Sequence, residues 1–227
     1  MRTVKRSILA VLAGSMILAT TLTGCASDTS IPSPAASAEP LSPYSAQQSV
    51  EQFAGIEYDY DPAASPSALA DQSSLVVMAT IDRVQEGRLK IVPKSPNEPG
   101  ISTIVLVLRD TKPVRGDLPA GDDGLLYVEL PNPGQQEAGA YDRGLRAGAR
   151  VVAYLVPAGD GEPTDVVDFA IAEPDAGRPA GQALFITAGP QGLILQYENE
   201  AVVWPLIGEQ RDGNLEDTLP GGQLIAS

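Results

Sequence analysis

Proline and glycine cut this chain into pieces too short for long helices. There are 20 prolines and 22 glycines among 227 residues. The apolar runs between them are brief and rich in β-branched residues, and no long 3.6-residue period survives. Leu75 to Ile81 is the first such run, with Leu75, Val77, Ala79 and Ile81 on one face. Arg88 to Val92 reads as its partner across a Glu86-Gly87 turn. Pro93 to Gly100 is a loop. Thr103 to Leu108 is apolar on both faces, as in a central strand covered on both sides. Leu125 to Leu130 follows, then Val151 to Val156 and a weaker run from Val166 to Ile171. Leu184 to Thr187 and Leu193 to Tyr197 flank Ala188-Gly189-Pro190-Gln191-Gly192 and read as a hairpin. Ala201 to Trp204 closes the series at Pro205.

Two short helices precede the strands. Ser45-Ala46-Gln47-Gln48 has the form of a capping box, and a helix over 46–54 should follow. Ser65-Pro66 supplies an N-cap and an N1 proline for one or two turns ending near Ser73. Residues 208–227 are acidic and Gly-rich and should fray. The expected fold is all-β: a small OB-like barrel or a β-sandwich of about seven strands, over residues 45–207, with one or two short N-terminal helices. No repeat of fixed period is present.

The opening Leu75-Val76-Val77, a second strand leading into Val114-Arg115-Gly116, and the later Gly148-Ala149-Arg150-Val151-Val152 segment resemble extracytoplasmic OB-like barrels. Netrin-type and metalloproteinase-inhibitor-type modules share that general order. Those modules usually carry disulfides. A chain with one cysteine makes none internally, so its core must be held by packing.

The N-terminus carries a different signal. Arg2, Lys5 and Arg6 form a positive leader, and Ile8 to Ala19 an apolar run too short to span a bilayer. It ends in Leu22-Thr23-Gly24-Cys25, which resembles the lipobox of bacterial lipoproteins. That resemblance implies cleavage after residue 24 and a diacylglyceryl-linked, acylated Cys25. Two acyl chains anchor stably, at about 0.8 kcal/mol per buried methylene. Residues 25–44, with Pro32, Pro34, Pro40 and Pro43 among Ala and Ser, then form a tether. The expected location is the extracytoplasmic face of the cell membrane.

Removing the leader takes the bases from 15 to 12 and none of the 29 acids, so the net charge moves from −14 to −17. That balance argues against nucleic acid and against adhesion to anionic lipid. The chain has no histidine. Imidazole-dependent catalytic sets and Cys/His zinc sites are therefore excluded. There is no Gly-x-Ser-x-Gly, no Ser-x-x-Lys beyond the leader and no phosphate loop. No cofactor and no enzymatic activity are expected. The functional expectation is a non-catalytic binding or structural lipoprotein whose partner is an envelope protein, a polymer or a small ligand.

Two alternatives stay open. Glu57, Asp59 and Asp61 alternate in Glu57-Tyr58-Asp59-Tyr60-Asp61 and could offer oxygen ligands to calcium, although Pro62 and Ala68 break the EF-hand pattern. Gly121-Asp122-Asp123-Gly124 is a second acidic segment, read first as a turn. A pair of carboxylates across a groove could hydrolyse a glycoside. Trp204, the sole tryptophan, is either a core residue or an exposed binding anchor.

Overall fold

A computed structural model of the chain describes residues 45–91, 100–120, 124–159 and 170–226. The leader, Cys25, the tether, Asp122-Asp123 and the start of the expected 166–171 strand lie outside them. Ser42–Ser227 forms one compact unit. Its described residues form two short α-helices and nine strands. Helix α1 spans Ala46–Glu51, shorter than expected, and the Ser45 side chain makes no capping bond. Helix α2 spans Pro66–Asp71, with the Ser65 hydroxyl accepting from the Ala68 amide at 3.2 Å.

The strands are β1 (Leu75–Ile91), β2 (Ile101–Arg115), β3 (Leu126–Pro131), β4 (Arg150–Pro157), β5 (Ala170–Ala172), β6 (Leu184–Thr187), β7 (Leu193–Gln196), β8 (Val202–Trp204) and β9 (Glu209–Arg211). Five of them close a ring: β1 pairs β2, β2 pairs β3, β3 pairs β6, β6 pairs β4, and β4 returns to β1. Among the described residues all pairings are antiparallel except β3 with β6. This is the connectivity of a five-stranded OB-type barrel. The barrel expectation holds and the sandwich does not, and the strand count exceeds the expected seven.

Alternation explains the interior. Leu75, Val77, Ala79 and Ile81 of β1 meet Ile104, Leu106 and Leu108 of β2, Leu126, Val128 and Leu130 of β3, and Val151, Ala153 and Leu155 of β4. Strand β2 is indeed covered on both sides, with Val105 and Val107 packed outside against Tyr127 and Leu184. Glu86-Gly87 is not a turn. Strand β1 runs through it, and its register shifts against β2 at four places, the last between Glu86 and Leu89. Such bulges let one long strand bend around a barrel. Gly87 serves close approach: a Cβ there would lie 2.4 Å from Thr103 Oγ1 and 2.9 Å from the Thr103 backbone.

The expected hairpin over 184–197 is corrected as well. Strands β6 and β7 lie in succession along the same edge of β4, which pairs Leu155 to Pro157 with β6 and Arg150 to Ala153 with β7. A short 3₁₀ turn over Pro190–Gly192 bridges them. The other edge of β6 is taken by β3, so no edge is left on which β7 could fold back.

The tail does not fray. Leu215 and Ala226 join Val76, Val152, Tyr154, Ile194, Val202 and Trp204 in a second apolar cluster outside the barrel, with Leu69 and Ala70 of α2. Gln196 pins the tail by accepting from the Leu215 amide and donating to the Gly213 carbonyl, both at 3.0 Å. Gln191 donates to the Ala226 carbonyl at 2.7 Å and accepts from the Ala63 amide at 2.8 Å. Trp204 is fully buried in this cluster, as a core residue and not an anchor.

Candidate functional site

The parallel seam of the barrel is short. β3 and β6 pair only at Tyr127 with Leu184 and at Val128 with Phe185. Beyond those pairs the strands follow different neighbours. β3 continues on β2 as far as Pro131 opposite Thr103. β6 continues on β4 to Thr187 opposite Leu155. Pro131 has no N–H with which to prolong the seam. Gly189, at φ +98°, then turns the chain into the Pro190 turn, a conformation that favours glycine. A cleft of about 260 Å³ opens where the strands part. Glu129, Leu130 and Pro131 line it from β3, and Ile186, Thr187, Gly189 and Pro190 from β6 and the turn. Tyr58, Lys90 and Leu206 complete the wall.

Its charge comes from the last turns of β1. Arg88 and Lys90 are two apart on a strand and so share a face. Arg88 grips Glu129 with two bonds, Nε to Oε2 at 2.6 Å and Nη2 to Oε1 at 3.1 Å. Its third nitrogen, Nη1, donates to the Gly159 carbonyl at 2.9 Å. Lys90 Nζ lies 3.0 Å from Oε1 of the same carboxylate. The Thr103 hydroxyl stands 2.9 Å from the Arg88 carbonyl and 3.3 Å from Oε2. Arg88 and Glu129 are buried, whereas the Lys90 side chain is 34% exposed.

Burial alone would raise the Glu129 carboxyl. Hydrogen bonds from Arg88 and the charges of Lys90 and Arg88 outweigh it and hold the group below its usual range. Glu129 is therefore ionised at neutral pH. Removing one partner of such a buried pair costs about 3–5 kcal/mol, although the intact pair contributes little net stability. Tyr58 differs. Its hydroxyl is closed off from solvent and has no hydrogen-bond partner among the described residues. Burial pushes its pKa up to about 12, so it stays neutral. An unpaired buried donor of this kind costs about 1–3 kcal/mol. Leu130, Pro131, Pro190 and Leu206 make the rest of the cleft apolar, and Ile186, a large residue 37% exposed, contributes from the open side.

The residues singled out from sequence lie elsewhere. Glu57, Asp59 and Asp61 are all exposed on the extended segment after α1. Among the described residues no three acidic or sulfur ligands converge as a metal site would require. Among the described residues Glu129 is the one carboxylate lining the cleft, where glycoside hydrolysis uses two. Cys25 lies outside the described residues. The cleft brings together residues that the sequence reading passed over. Glu129 interrupts an alternating strand at a position where a charge ordinarily faces water. Arg88 and Lys90 sat in a presumed hairpin arm. The one available signal was a pair of like charges at strand spacing opposite a lone acid.

Among the described residues no helix is long and apolar enough to cross a membrane. Comparison of the chain with protein-family models, curated proteins and solved structures found no match.

Proposed function

We propose that this chain is a lipid-anchored extracytoplasmic lipoprotein whose barrel is a non-catalytic binding module, with the cleft at the β3–β6 seam as its ligand site. The cleft is the observation that carries the reading: a concave, mostly apolar space with a few polar groups is the usual form of a small-ligand site. The lipobox ending in Cys25 and the positive leader support the anchor. The absence of histidine and of standard nucleophile motifs supports binding over catalysis.

Two measurements test it. Mass spectrometry of the mature N-terminus should find residue 25 first and doubly or triply acylated, and Cys25→Ser should release the protein from the membrane fraction. An unmodified Cys25 sinks the anchor. A fragment screen by amide NMR on the unit from Ser42 onward should move resonances of Leu130, Ile186, Thr187 and Gly189. Fragments that bind only elsewhere sink the site.

A further inference from the structure

We infer that the cleft takes a small organic monoanion with an apolar body, its anionic head on Lys90 and its body against Leu130, Pro131, Ile186, Pro190 and Leu206. The inference rests on the cleft being the ligand site and names the class of ligand. It follows from the charge count at one wall. Arg88 already occupies both oxygens of Glu129, at 2.6 and 3.1 Å, and Thr103 adds a contact at 3.3 Å. Among the described residues, two cations against one carboxylate leave a net positive charge in that cluster. Arg88 is enclosed and its third nitrogen is committed to Gly159. Lys90 is the cation that reaches the cleft, a third exposed, and Glu129 takes only one of the three donors of its ammonium.

This local sign opposes that of the whole. The chain has a net charge of −14, so a cluster of two cations on one acid at the cleft wall stands out against its own background. A dication or a neutral ligand gains nothing from that arrangement, whereas a single carboxylate, sulfonate or phosphate ester does. The volume of about 260 Å³ falls below the span of about 300–1,000 Å³ usual for drug-sized ligands, so the body must be small. Five apolar residues around one ammonium define an amphiphile and not a polyanion, which would need several cations.

The test uses three probes with one tail and different heads: octanoate, octylammonium and 1-octanol. Each is titrated into the Ser42–Ser227 unit, which carries both apolar clusters, and followed by amide NMR. Octanoate should shift Leu130, Ile186, Thr187 and Gly189 and bind about tenfold more tightly than octanol, as a charge-assisted contact implies. Lys90→Met should remove the preference, and Lys90→Arg should keep it. Glu129 stays paired with Arg88 in both variants, and an unchanged thermal melt verifies the fold. Octanol or octylammonium binding the cleft as tightly as octanoate overturns the anion inference and leaves the cleft standing as a site. Equal octanoate affinity in Lys90→Met overturns it too. Silence of the cleft to all three probes overturns the site and the inference together.

Discussion

The two outer faces of the barrel obey the same strand alternation and reach opposite results. Over β1, β4, β7 and β8, the outward residues Val76, Val152, Tyr154, Ile194 and Trp204 are apolar and sealed by α2 and the tail. Over β1, β2 and β3, the outward Val105, Val107 and Tyr127 give way to Arg88, Lys90 and Glu129. The first face stabilises by area removed from water, at roughly 25 cal/mol per Å². The second places ions where apolar side chains of similar size would hold the fold as well or better. Stability does not account for those charges, and the wall they form is the wall of the cleft. The contrast separates what the barrel needs to stand from what it offers to a ligand.

Substitutions break the contrast by degrees. Trp204→Ala should cost the most, about 4 kcal/mol by denaturant unfolding, through the cavity it leaves in a fully buried cluster. Glu129→Gln should follow at about 3 kcal/mol, because Arg88 and Lys90 lose their common anion. A cost under 1 kcal/mol would show that this face is as wet as an ordinary surface. Leu215→Ala should cost about 2–3 kcal/mol and leave ligand binding intact, which places the tail with the dry face.

Acid sharpens the same line. The folded-state pKa of Glu129 is depressed, so its contribution is fully present above the unfolded value of about 4.3 and is lost as pH falls through the folded one. Wild type and Trp204→Ala should lose stability together as pH drops below about 4.3. Glu129→Gln should lose less over that window, which unfolding curves at several pH values will read. The smallest effect belongs to Arg115→Ala. Its ion pair with Asp71 at 2.8 Å is solvent-exposed, and its loss should cost less than about 0.5 kcal/mol.

Much of the fold was legible because alternation is a local property. The inward sets Leu75-Val77-Ala79-Ile81 and Leu126-Val128-Leu130 are found where the pattern places them. What escaped was decided at a distance. Glu86-Gly87 carries turn residues, yet the approach of Thr103 from β2 makes Gly87 a packing requirement inside one strand. The Gly189-Pro190 segment has hairpin chemistry, but β3 holds the edge that a hairpin would need. The tail is acidic in composition, and only the pocket beside Trp204 and Tyr154 gives Leu215 somewhere to go. The cleft was least visible of all. Its residues come from the segment after α1, from β1, β3 and β6, from the turn before β7 and from the segment after β8, and no local pattern joins them.

The two-pair seam also governs how the barrel breathes. A closed ring opens along its weakest ladder. Here that is the parallel β3–β6 junction, held by Tyr127 with Leu184 and Val128 with Phe185, while β1 and β4 share six pairs. Sub-global opening should therefore unroll the ring into a curved open sheet without disturbing the sealed face. Hydrogen exchange will register it as early loss of protection at Leu184 and Phe185 against slow exchange at Val151 to Ala153. The floor of the cleft is then the most labile part of the barrel wall, and anything seated across Leu130 and Ile186 acts as a splint on the joint.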